Sequence, residues 1–177
     1  WFFHGPTRRA LKREIAAQFA AFRATGLTLD HVDVHNHMHL HPSVLSEIIA
    51  NLRPGEAAVR LPREPLALAG VAGVLLAPWI GLMAARLARA GLVHNDWLLG
   101  IRDSGRVDEA CLLGYLERLP AGRVEIHLHP AVTRDATVAA AMPGYFNEAE
   151  CAALQSPAVA ARLRALGIEP GGFMDLQ

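Results

Sequence analysis

Between Asp30 and Pro42 the chain reads Asp30-His31-Val32-Asp33-Val34-His35-Asn36-His37-Met38-His39-Leu40-His41-Pro42, and five of its nine histidines fall there on alternate positions. Imidazole is the commonest metal ligand and the usual general acid or base near neutral pH. The run therefore points to metal-assisted or acid–base chemistry. Alternate residues of an extended strand share one face. As a strand over 27–40, His31, Asp33, His35, His37, His39 and His41 line one side, and Val32, Val34, Met38 and Leu40 the other. A polar strand edge or a chance His-rich tract is the plainer reading of the same pattern. A helical register would pair His35 with His39 and His37 with His41, as in helical zinc motifs. The alternating valines and Pro42 argue against it.

Spacing limits how many of these side chains can share one ion. Residues two apart on a strand are separated by roughly 6.6 Å along its axis, whereas a first-row metal takes nitrogen ligands at about 2 Å. One or two histidines of the row can ligate a single metal, and the remaining ligands must come from elsewhere. A second segment has the same grammar. In Arg123-Val124-Glu125-Ile126-His127-Leu128-His129-Pro130, the residues Val124, Ile126 and Leu128 face one way and Glu125, His127 and His129 the other. Proline has no N–H for a sheet ladder, so Pro130 ends that strand just after the last histidine. A third run, Ala57 to Arg63, also meets a proline with Arg60 and Arg63 beside it. Three strands with polar groups at their carboxyl ends, separated by helical stretches, describe an α/β barrel with its chemistry at the strands' C-terminal ends.

These residues also carry a family resemblance. His31-Val32-Asp33-Val34-His35-Asn36-His37-Met38-His39 resembles the HxDxHxHxH signature of the YdjC/ChbG-like carbohydrate deacetylases, and Glu125-Ile126-His127-Leu128-His129-Pro130-Ala131 resembles their late histidine-proline motif. Within that family the chain is most similar to the hopanoid-biosynthesis-associated branch called HpnK. That similarity rests on Phe19 to Pro42, on Arg60-Leu61-Pro62-Arg63-Glu64-Pro65, and on Met142-Pro143-Gly144-Tyr145 through Val159. The resemblance implies a polysaccharide-deacetylase-like (β/α) barrel and hydrolysis of an N-acetyl group from an N-acetylglucosamine unit, on a hopanoid glycolipid. It implies a divalent metal, zinc or magnesium, with His35 as the metal ligand. The metal would polarise the acetamide carbonyl and lower the pKa of a bound water toward ~7. His129 would give a proton to the departing amine, a role suited to an imidazole of pKa near ~6.5. His31, Asp33, His37, His39, Arg60, Arg63 and His127 would contact substrate or orient the metal-bound imidazole.

The family's aspartate-pair motif and its glycine-histidine ligand motif are not seen before His31. A (β/α)8 barrel typically takes ~250 residues, and this chain has 177. The expectation is a single domain over 1–177, the C-terminal part of a larger barrel that lacks its first strands. A non-catalytic remnant or metal-binding module is the rival of a different class. Another metal-dependent hydrolase on a similar barrel is the second alternative.

The elements that must hold these groups alternate along the chain. Leu11, Ile15, Phe19 and Phe22 make a helical stripe over 8–25 that Gly26 ends. Ser43 is a candidate cap for a helix through Leu52. Strands are expected at 57–61 and 123–128, a short strand or turn at 97–101, a helix over 107–119, and a closing helix over 148–166. The 65–90 region is apolar and helical, and Pro65 to Ala85 carries no charge for 21 residues. By length it qualifies as a membrane span. A buried crossover helix, or a helical hairpin touching a membrane surface or lipid substrate with Arg86 and Arg89 at the water side, are the other readings. Seventeen basic and seventeen acidic residues cancel, and no basic block suggests nucleic acid. Cys111 and Cys151 are too few for a disulfide framework or a CxxC zinc site and read as reduced thiols. The expected setting is cytoplasmic with membrane association, homo-oligomerisation being left open.

Overall fold

The computed structural model describes residues 4–176. Its contacts divide the described residues into two compact units, one formed by residues 4–62, 75–95 and 171–176, the other by Arg63–Val74 and Asp96–Pro170. Each holds one short pair of parallel strands.

The first unit opens with α1 (Gly5–Ala24), where Pro6 sits in the first turn and has no N–H to leave orphaned. Ile15 and Phe19, four apart, bury its inner face. Strand β1 is only His31–Val32 and pairs in parallel with β2 (Ala58–Val59), His31 opposite Ala58 and Val32 opposite Val59. The expected strand over 27–40 is thus corrected to two residues. After β1 the chain turns, and His35–Leu40 forms a 3-10 stretch in which Asn36 and His37 adopt φ of 50° and 51°. Asparagine is among the few residues that tolerate this left-handed conformation, and a strand that has lost its partner has no ladder to keep it extended.

Helix α2 (Pro42–Ala50) follows at once. Its cap is His41 rather than Ser43, because the His41 Nδ1 accepts the Ser43 N–H at 3.2 Å. Val44, Leu45 and Ile48 face inward. Beyond β2 the ladder is continued by a side chain: the buried Asn95 amide accepts the Leu61 N–H at 2.6 Å and donates to the Leu61 carbonyl at 2.8 Å. Helix α3 (Val71–Arg89) sends Ile80, Met83 and Leu87 into the core with Leu45, Val59 and Leu61.

In the second unit β3 (Trp97–Leu99) pairs in parallel with β4 (Val124–Ile126). Helix α4 (Glu109–Leu116) lies between them in sequence and is capped by the Asp108 carboxylate, which accepts the Cys111 N–H at 2.9 Å. A short α5 (Ala136–Ala141) follows, capped by Asp135. The expected closing helix is two helices, α6 (Asn147–Leu154) and α7 (Pro157–Ala165). The break falls at Ser156-Pro157, since proline has no N–H to continue α6 and the Ser156 hydroxyl caps α7 instead. Leu99, Val107, Leu112, Leu116 and Val159 form this unit's core. The architecture is α/β with parallel strands, as expected, in two separate pairs.

Candidate functional site

In the first unit the chemistry gathers where β1 and β2 end. Asp33 and Arg60 each lie one residue beyond their strand, and their side chains form an ion pair at 2.7 Å. The His39 Nε2 lies 2.8 Å from the Arg60 carbonyl, so that nitrogen carries the proton and Nδ1 is left as a bare acceptor. His39 is fully buried, and its Nδ1 has no hydrogen-bond partner among the described residues. Burial holds the His39 imidazole below its ordinary pKa, since a charged ring would lose its water. The sequence row was expected to put six polar residues on one face. The structure ties Asp33 and His39 to Arg60 rather than setting the six along one strand face.

The other members of the row are dispersed by the turn. His31 hydrogen-bonds through Nδ1 with Asp30 at 2.8 Å and stacks at 5.1 Å on Phe173, which is itself buried. His35 is exposed and stands with His31 and Asp33 on an open groove of about 390 Å3, whose wall is apolar through Phe19, Phe22 and Val32. His37, half-buried, meets the His39 ring edge-on at 6.1 Å.

In the second unit the residues after β4 form their own group. The His127 N–H bonds the Leu99 carbonyl at 2.9 Å, extending the β3–β4 pairing by one step. The rings of His127 and His129 meet edge-on with centroids 4.4 Å apart, and Tyr145 packs on the other side of His129 at 5.0 Å. The His129 backbone is clamped from both ends. Its N–H goes to the carboxylate of the fully buried Glu150, and its carbonyl accepts from the Asn147 amide at 2.7 Å. The buried Nδ1 of His129 has no hydrogen-bond partner among the described residues. Gly105 lies under the Tyr145 ring so closely that a Cβ there would fall 2.3 Å from it, and the tyrosine hydroxyl meets Ser104 at 3.1 Å. Arg63 belongs to this unit, with its guanidinium over the Trp97 ring at 5.9 Å and its carbonyl accepting the Leu98 N–H.

Asn95, Tyr145, Asn147 and Glu150 were given no role from sequence. Asn147 and Glu150 open a helix, where polar residues usually signal capping. Tyr145 stands in a Pro-Gly-Tyr turn with nothing to mark it as a neighbour of His129.

Among the described residues, no three His, Cys, Asp or Glu side chains converge as a metal site would require. Asp33 is engaged by Arg60, and the His39 Nε2 by a carbonyl. The residues here therefore do not by themselves fit a divalent metal.

The polar groups lie after the C-terminal ends of parallel strands, where sites of α/β barrel proteins commonly sit. The sequence profile of the YdjC-like protein family matches residues 1–165, and the chain belongs to that family. A carbohydrate deacetylase of Brevibacillus brevis (strain 47) is 38% identical over 52 residues, which is 29% of this chain and 21% of that protein. A solved protein of Enterococcus faecalis V583, named for cellobiose-phosphate cleavage, shares the fold with a TM-score of 0.63 at 22% identity. That match covers 90% of this chain and 57% of the solved one. The chain thus spans about a fifth of the one relative and just over half of the other.

Proposed function

We propose that this chain forms part of a metal-dependent carbohydrate N-deacetylase, built on a (β/α) barrel of the polysaccharide-deacetylase-like type. The reaction breaks the amide C–N bond of an N-acetylglucosamine unit by addition of water and releases acetate and the free amine. The observation that carries the reading is the group around His129, an imidazole at the end of a parallel strand. Its backbone is fixed by Glu150 and Asn147, and its ring is held between His127 and Tyr145. An imidazole held this way can deliver a proton to the nitrogen that leaves as the C–N bond breaks. Membership of the YdjC-like family and the Brevibacillus relative's name support the same chemistry.

Among the described residues His35 is the candidate metal ligand, exposed beside the groove that His31 and Asp33 also line. Those residues do not by themselves complete a coordination shell. Asp33, His39 and Arg60 form a locked cluster that shapes the strand ends. An N-acetylglucosamine unit on a hopanoid glycolipid is the substrate we favour, because the apolar α3 segment suits a greasy acceptor. Acetate release by the whole protein from a soluble chito-oligosaccharide and from the glycolipid, measured in parallel, tests this. Release from the glycolipid at the higher rate is expected, with loss on chelation and with His35→Ala. Release from neither would overturn the reading.

A further inference from the structure

His129 lacks the support that a proton-donating imidazole usually has. Such a ring is commonly oriented by its second nitrogen, which hydrogen-bonds to a carboxylate or a carbonyl. The buried Nδ1 of His129 has no hydrogen-bond partner among the described residues. Glu150 and Asn147 fix its backbone from both ends, which holds the Cα and leaves the side-chain torsions to be set by packing. Two rings touch the imidazole. His127 lies two residues back along the same run from β4 and shares its backbone path. Tyr145 comes from a separate segment and meets the ring at 5.0 Å with the planes at 70°, the edge-to-face arrangement in which aromatic rings attract.

Tyr145 is anchored independently of β4. Met142-Pro143-Gly144-Tyr145 is a tight turn, with proline second, glycine third at φ 78°, and the Tyr145 N–H donating to the Met142 carbonyl at 3.3 Å. The turn sets the tyrosine ring against Gly105, in the loop that follows β3, where no room is left for a Cβ. The Gly105 carbonyl accepts the Phe146 N–H at 2.7 Å, and the Ser104 hydroxyl meets the Tyr145 hydroxyl at 3.1 Å. The same loop supplies the Val107 N–H that Glu150 accepts at 3.0 Å. Tyr145 is thus pinned at its backbone, its ring and its hydroxyl, and it carries the position of the β3 loop to a histidine on the run from β4.

We propose that Tyr145 is a positioning residue for His129, through which the loop after β3 fixes the plane of the imidazole. This role rests on His129 as the proton donor of the N-deacetylation. A misplacement of about 1 Å can cost about a hundredfold in rate. With soluble chito-oligosaccharide and the whole protein, Tyr145→Leu should therefore lower kcat for acetate release by about ten- to a hundredfold, with KM near the parent's. Tyr145→Phe keeps the ring, gives up only the Ser104 contact, and should recover most of that loss. In a His129→Ala background Tyr145→Leu should lower kcat no further, because a residue that acts only through His129 has nothing left to position. Equal losses with and without the His129 imidazole would overturn the proposal, as would a parent-like kcat for Tyr145→Leu. Carbon-13 relaxation of the His129 ring, assigned by its absence from the His129→Ala spectrum, needs no turnover. The ring should be rigid in the parent and in Tyr145→Phe, and mobile on the picosecond-to-nanosecond scale in Tyr145→Leu. A ring equally rigid in Tyr145→Leu would overturn the proposal. Absence of acetate release from the parent, with the ring loosened as expected, would sink the deacetylation reading and leave the positioning of His129 by Tyr145 standing.

Discussion

Glu150 offers the sharpest mutational test of how the second histidine group is held. Its side chain is fully buried and spends one oxygen on the Val107 N–H at 3.0 Å and the other on the His129 N–H. Glutamine keeps one acceptor oxygen and turns an amide nitrogen toward the other N–H, so one buried donor loses its partner. A buried donor left unsatisfied costs about 1–3 kcal/mol, which sets the expected loss for Glu150→Gln. Alanine removes both acceptors, and the same reasoning gives about 2–6 kcal/mol before any cavity is counted. Against a total stability of about 5–15 kcal/mol, the alanine variant approaches loss of the fold. Urea unfolding followed by far-UV circular dichroism reads both values, and hydrogen exchange at the Val107 and His129 amides should speed up in the glutamine variant. The reasoning fails if both variants stay within about 0.5 kcal/mol of the parent, the range of an ordinary surface substitution.

Three further outcomes follow from the structure. Gly105→Ala should destabilise by more than about 2 kcal/mol in urea titration, because its φ of 77° is strained for alanine and the new methyl would meet the Tyr145 ring. Gly144→Ala, at φ 78° with nothing within 4 Å, should cost only the strain, about 1 kcal/mol. His39 has a folded-state pKa held below its ordinary 6.5 by burial. Its contribution to stability is therefore complete above the unfolded-state pKa and is lost as pH falls below it, where the unfolded imidazole takes a proton that the buried ring refuses. The urea midpoint should drop between about pH 7.5 and about pH 5.5, and His39→Gln should flatten that dependence.

The helical frame was legible because apolar periodicity reports burial directly: Ile15 and Phe19 on α1, and Val44, Leu45 and Ile48 on α2, are buried where the pattern puts them. The parallel strands were legible from their valines and leucines, although each proved shorter than its apolar alternation. The histidine row misled for a physical reason. Alternation describes a strand only while a partner holds it extended, and the β1 ladder ends at Val32. Beyond that point Asn36 and His37 take left-handed backbone angles, and what alternates in sequence no longer shares a face. His127 and His129, expected on one face, meet edge-on with ring centroids 4.4 Å apart just after β4. The clamps on His129 were not legible, since Tyr145, Asn147 and Glu150 reach it only through the tertiary fold.

The central claim is that His129 serves as the proton donor of an N-deacetylation. The measurement that bears on it most directly is acetate release by the whole protein and by its His129→Ala variant, with substrate binding followed in parallel. The account predicts that turnover falls by ~10²–10⁴, the usual worth of a positioned general acid, while substrate affinity and the melting curve stay near those of the parent. Acetate release that proceeds undiminished without the His129 imidazole would contradict it.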